Sequence, residues 1–181
     1  DRQRPGRGST TASTAMLLWE IDQRLGDLAD LYGFERASGI YRRSFEAAAG
    51  LTGLVQSRNL PCGLFPRPSV YLSTPDVDAR QLYAEQQIRR RAGLPGEFLD
   101  QKILAEGFAI GRDAAIVSPG AAEADPVLLV ECILAEAIRQ KAQLLDAEAT
   151  GYHDGSNAVT VELDDGHIIE AKHVGLATGY V

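Results

Sequence analysis

The sequence predicts an α/β protein, and three observations carry that prediction. Apolar residues recur at helical spacing through most of residues 17–54. A proline-started amphipathic segment covers residues 124–141. From residue 143 onward the chain alternates short strand patterns with turn residues.

Taken in order, Leu17, Leu18, Ile21, Leu25, Leu28 and Tyr32 fall on one helical face, and Gly33 suits its end. A second helix is expected from roughly Phe34 to Leu54, which is rich in alanine and long side chains. "NLPCGLFPRPSVYLST" then changes register, and "SVYLST" has strand composition. "DVDARQLYAEQQIRRRAG" resumes a helix, with Asp76 as its cap and Gly93 at its end. "AAIVS" reads as a short strand. In "ADPVLLVECILAEAIRQK", Asp125 can cap a helix whose Val127, Val130, Leu134, Ala137 and Ile138 form one buried stripe. "QLLDAEA" reads as a strand, "GYHDGSN" as a break, and "VTVEL-DDG-HIIEA" as a hairpin placing Val159, Val161 and Leu163 on one face. The apolar run "VGLA" is expected to be a strand buried on both faces.

At 181 residues the chain suits one domain, or two small lobes sharing a core. It is 45% hydrophobic and 24% charged, with no stretch apolar and long enough to cross a bilayer. The net charge of −7 argues against a nucleic-acid partner, which would need a basic surface. Cys62 and Cys132 lie far apart without metal-type spacing, so a reducing cytoplasm is expected rather than a disulfide framework. The chain opens on Asp1 with no charged-then-apolar signal segment, and it stops within a strand pattern. Both ends read as cut, and uncovered sheet edges predict self-association of a chain of this length.

The segment Arg7–Leu17, "RGSTTASTAML", packs five hydroxyls ahead of an apolar run. A helix start there would offer unpaired N–H groups to an anion; redundant helix capping is the alternative reading. Asp1, followed by a basic, glycine-containing turn, stands where a dinucleotide fold binds ribose hydroxyls. His153, His167 and His173 lack ligand spacing and read as surface or structural residues. Arg89, Arg90 and Arg91, with Glu85 one turn earlier, read as a solvated face with an ion pair. Arg42 and Arg43 read as solvated too, although either could reach a carboxylate. Trp19 and Cys132 read as core residues.

Four segments in order resemble the FAD-dependent oxidoreductases of the D-amino acid oxidase and glycine (sarcosine) oxidase type. They are "DRQRPGRGSTTASTAMLLWEID", "CGLFPRPSVYLST", the stretch from "IVSPGAAEADPV" to "LLDAEATGY", and "HVGLATGY". The resemblance implies part of a Rossmann-like FAD-binding domain, interrupted by part of an α+β substrate domain. The FAD-binding parts would be residues 1–60 and 122–181, with the substrate-domain portion at 61–121. It implies FAD as cofactor. Asp1 and Arg2 would lie at the ribose, and Ser9, Thr10, Thr11, Ser13 and Thr14 beneath the pyrophosphate and flavin. Ala15, Met16 and Leu17 would approach the flavin ring, Ala149 the adenine, with Ala177, Thr178 and Gly179 forming the closing turn. The glycine-rich fingerprint of the family does not occur in these residues. The implied reaction is oxidation of a small amine or amino acid by hydride transfer to flavin. The alternatives are a flavin dehydrogenase of the same fold acting on a polyol phosphate or hydroxy acid, and a chain that binds no cofactor by itself.

Overall fold

The computed structural model describes residues 5–177. After a 3-10 turn (Ser9–Ala12) come β1 (Met16–Leu17), α1 (Leu25–Tyr32), α2 (Phe34–Ser57), β2 (Phe65–Leu72), α3 (Ala79–Arg91) and β3 (Glu97–Asp100). These are followed by α4 (Gln101–Phe108), β4 (Ala114–Glu123), α5 (Pro126–Arg139), β5 (Ala149–Asp154), β6 (Val159–Leu163) and β7 (Ile168–Ala171). The mixed helix-and-strand fold is therefore as expected, and every strand pairing among the described residues is antiparallel. The chain forms two compact units, Ala15–Asp125 and the N-terminal segment up to Thr14 together with Pro126 onward. Residues 15–60 thus group with 61–125, because Trp19, Leu25, Leu28, Ala37 and Tyr41 share one buried cluster with Ala92 and Leu94.

In the Ala15–Asp125 unit, β4 is central: β1, β2 and β3 all pair with it. "AAIVS" is only the start of this ten-residue strand. β2 forms an outer strand, with Pro66 and Pro68 two positions apart, as suits an edge where no ladder donor is needed. Its register against β4 shifts between Arg67 and Ser69. Beside that irregularity Gly120 has φ +94°, and a Cβ there would come within 2.8 Å of Phe45. On α3 it is Asp78, not Asp76, that caps: its carboxylate accepts from Gln81 N at 2.8 Å, and Gln81 Oε1 accepts from Asp78 N at 2.9 Å. Asp76 lies inside the tight Thr74–Val77 turn and is unavailable for capping α3.

The helix expected from Leu17 onward starts only at Leu25. Met16 and Leu17 are taken by pairing with Glu123 and Ala122 of β4, so the strand ladder overrides the helical spacing.

In the other unit β5, β6 and β7 make a three-stranded meander. The "VTVEL-DDG-HIIEA" hairpin is as expected, with Gly166 at φ +85° in its turn. "QLLDAEA" is not a strand; the strand begins at Ala149 and runs through "GYHD", which pairs with β6. "VGLA" is neither strand nor buried: Val174 is 37% and Leu176 64% exposed. A strand needs ladder partners for its backbone, and the β7 hairpin has already ended at Ala171. The stripe on α5 is half-buried rather than buried, with Ile138 48% exposed. Among the described residues no helix is long and apolar enough to cross a membrane.

Candidate cofactor site

The hydroxyl-rich segment does not open a helix. Ser9–Ala12 makes a single 3-10 turn with no side-chain cap, closed by Thr11 N to Gly8 O at 3.2 Å and Ser13 N to Thr10 O at 3.2 Å. A helix-terminus anion site and helix capping are therefore both replaced by a local turn. The Thr11 hydroxyl donates to Gly8 O at 2.9 Å. Ser9, Ser13 and Thr14 are exposed, and Thr10 is half-buried. Exposed hydroxyls of this kind are a donor type that phosphate oxygens accept, while the Thr11 and Ser13 amides and the Thr11 hydroxyl are used within the turn itself.

Ala15 opens the other unit with φ +66°, a left-handed conformation costing a non-glycine residue about 1–2 kcal/mol. Its carbonyl accepts from Ala124 N at 3.1 Å. Alanine is suited to this turn; a β-branched side chain there would be strained further. Met16 follows at 56% exposure and Leu17 is half-buried. Ala149 opens β5 and Ala177 lies beyond β7, both exposed. Asp1, Arg2, Thr178 and Gly179 lie outside the described residues.

Within the Ala15–Asp125 unit, Arg89 and Glu85, expected from the sequence to be a solvated ion pair, are instead buried. Arg89 is 3% exposed, not solvated. Its Nε donates to Glu85 Oε1 at 2.7 Å, and its Nη1 lies 3.5 Å from Glu20 Oε1. The guanidinium sits 5.6–5.8 Å from the ring centroids of Tyr41, Tyr71 and Trp19. Glu85 accepts from Leu25 N and Gly26 N, both at 2.9 Å, and so caps α1 from a different helix. Burial pushes the Tyr41 hydroxyl well above its usual range, against a smaller pull from Arg89, and it donates to Gln23 O at 2.7 Å. The signal was present: Leu82, Glu85, Gln86 and Arg89 stand at i, i+3, i+4 and i+7, and that whole face is buried. It was hidden because the face is charged.

A cleft of about 460 Å³ lies between α2 and the irregular part of β2 and β4. Gly53, Gln56, Pro66, Arg67, Pro119 and Gly120 are on its wall. Arg67 pairs with Glu123 at 2.7 Å, which holds the Glu123 carboxyl below its ordinary range. The remaining residues singled out from sequence lie at the surface. Arg42 and Arg43 are exposed, His153 meets Glu162 at 3.2 Å, and His167 meets Asp165 at 2.9 Å. Trp19 is fully buried, as expected, whereas Cys132 is half-buried.

A family model described as "DAO: FAD dependent oxidoreductase" matches residues 1–181. No curated protein sequence matches the chain. Among solved structures, the fold is similar to L-proline dehydrogenase from P. horikoshii, with TM-score 0.70 and 17% identity over 95% of this chain and 43% of that one. It is similar to glycine oxidase from Geobacillus kaustophilus, with TM-score 0.62 and 19% identity over 95% and 45%. It is also similar to L-alpha-glycerophosphate oxidase from Mycoplasma pneumoniae, with TM-score 0.62 and 14% identity over 88% and 40%. The chain therefore spans less than half the length of these proteins.

Proposed function

We propose, on the premise that this chain belongs to the FAD dependent oxidoreductase family, that the whole protein oxidises a small amine or amino acid of the D-amino acid, glycine or sarcosine type. The match along all 181 residues is the observation that most supports this reading. The names of similar structures favour amino-acid substrates, since proline dehydrogenase and glycine oxidase stand among them.

When bound, FAD supplies the two-electron acceptor for the hydride leaving the carbon that bears the amine. The chain's own part is to bind and orient. Ser9, Thr10, Thr11, Ser13 and Thr14 would lie along the diphosphate, with Asp1 and Arg2 at the ribose and Ala149 at the adenine. Ala177, Thr178 and Gly179 would make the closing turn. Ala15, Met16 and Leu17 would lie along the flavin ring, where a small residue at Ala15 leaves room for close approach. On this reading residues 1–60 and 122–181 bind FAD, and residues 61–121 belong to the substrate domain.

The test is anaerobic bleaching of the flavin in the whole protein. Glycine, sarcosine, proline and D-amino acids are compared with glycerol phosphate and 2-hydroxy acids. Bleaching by an amine or amino acid supports the proposal. Bleaching only by a polyol phosphate or hydroxy acid would replace it with the second reading, which the similarity to glycerophosphate oxidase favours.

A further inference from the structure

The stretch between β1 and α1, residues 18–24, lacks helical or strand hydrogen bonding of its own. Two of its carbonyls are instead served by side chains of α2, and its flanks and the Glu20 side chain are held from α3 and β2. Ser44 of α2 donates to Trp19 O at 2.7 Å, and Tyr41 of α2 donates to Gln23 O. From α3, Glu85 accepts from the two amides that follow this stretch. Ser69 of β2 donates to Glu20 Oε1 at 2.7 Å, and Trp19 Nε1 reaches across to Pro119 O at 2.9 Å. Buried ionic groups are a costly way to fill a core, and an apolar set of similar volume often packs as well. Here they converge on one irregular segment, next to a left-handed alanine that only well-determined surroundings can hold.

We propose that Glu20 and Arg89, together with Ser69, are positioning residues: they clamp the segment after Leu17 and so fix the strip Ala15–Leu17. Two atoms of the clamp, Glu20 Oε2 and Arg89 Nη1, are buried without a hydrogen-bond partner. The charged groups facing one another are Glu20, Glu85 and Arg89, so both carboxylates draw on a single guanidinium. Glu85 has two amides besides; Glu20 depends on Ser69 and Arg89 alone among the bonds described. Glu20 is therefore the place where the clamp opens with least harm to the helices. The link from this clamp to a flavin rests on the function proposed above.

The experiment is hydrogen exchange, read by mass spectrometry on the whole protein, first stripped of FAD and then loaded. Glu20→Ala removes the Ser69 bond and the ion pair with Arg89, Ser69→Ala removes the bond alone, and Glu20→Gln keeps an acceptor for Ser69. Exchange in a peptide spanning residues 15–20 should rise roughly tenfold in Glu20→Ala, by less in Ser69→Ala, with peptides of α3 and β4 unchanged. Glu20→Gln should restore it to within about threefold of the parent. In the loaded protein, Glu20→Ala should weaken FAD binding and shift the flavin absorption bands, and Glu20→Gln should recover both. Unchanged exchange in both alanine variants would overturn the clamp. So would a rise of equal size in every peptide, which would mark a general loss of stability. A parent protein that takes up no FAD would defeat the functional reading instead, and the exchange contrast would still decide the clamp.

Discussion

Replacing Glu85 by alanine tests whether the buried ion pair holds α1 in place. Glu85 is 3% exposed and makes three bonds: Leu25 N, Gly26 N and Arg89 Nε. The substitution removes the acceptor of two amides at the start of α1, each worth about 1–3 kcal/mol when buried and unsatisfied. It also leaves Arg89 enclosed by three rings with Glu20 at 3.5 Å as its nearest described carboxylate. Breaking a buried pair from one side costs about 3–5 kcal/mol, and the terms overlap, so that range is the expected total. Urea unfolding should show a lower midpoint at unchanged slope. In a double-mutant cycle, Glu85→Ala with Arg89→Met should cost less than the sum of the single changes, because the double variant leaves no unpaired guanidinium. A loss below about 1 kcal/mol for Glu85→Ala, the size of an exposed pair, would refute the argument.

Tyr41→Phe should flatten the alkaline limb of stability. Because burial raises the folded-state pKa, the contribution is complete below the unfolded value near ~10 and is lost as pH climbs through and beyond it. Urea midpoints between pH 8 and 11 should fall more steeply for the parent than for the variant; parallel curves would oppose this. Gly120→Ala should destabilise by about 1–3 kcal/mol from the backbone alone, and more from displacement of Phe45; a thermal midpoint equal to the parent's would show that neither matters. The 181-residue chain by itself should be colourless after dialysis, since no glycine-rich phosphate loop occurs in it. Retained flavin absorbance would show that the hydroxyl strip suffices.

Local patterns were legible where the chain satisfies its own hydrogen bonds. α2, α5 and the β6–β7 hairpin follow from composition, periodicity and turn residues. They fail where a distant partner decides. Met16 and Leu17 have helical spacing but meet Glu123 and Ala122, more than a hundred residues away. "VGLA" has strand composition, yet composition cannot state what a strand pairs with. Arg89 shows the same limit for the site: its i−4 partner Glu85 was visible, whereas the Trp19, Tyr41 and Tyr71 rings come from the segment after β1, from α2 and from β2. The hydroxyls of Ser9–Thr14 stood out by type, and their turn geometry depended on Gly8 rather than on a helix.

The prolines of β2 set it apart from the outer strands of the other sheet. Pro66 and Pro68 strip donors from the outer margin of the first sheet, so a passing strand finds no complete template there. The meander of the other unit has no such blocks. β7 carries Ile168 and Ile169, 62% and 37% exposed, and no proline. Among the described residues β7 is thus an outer strand whose donors no proline removes.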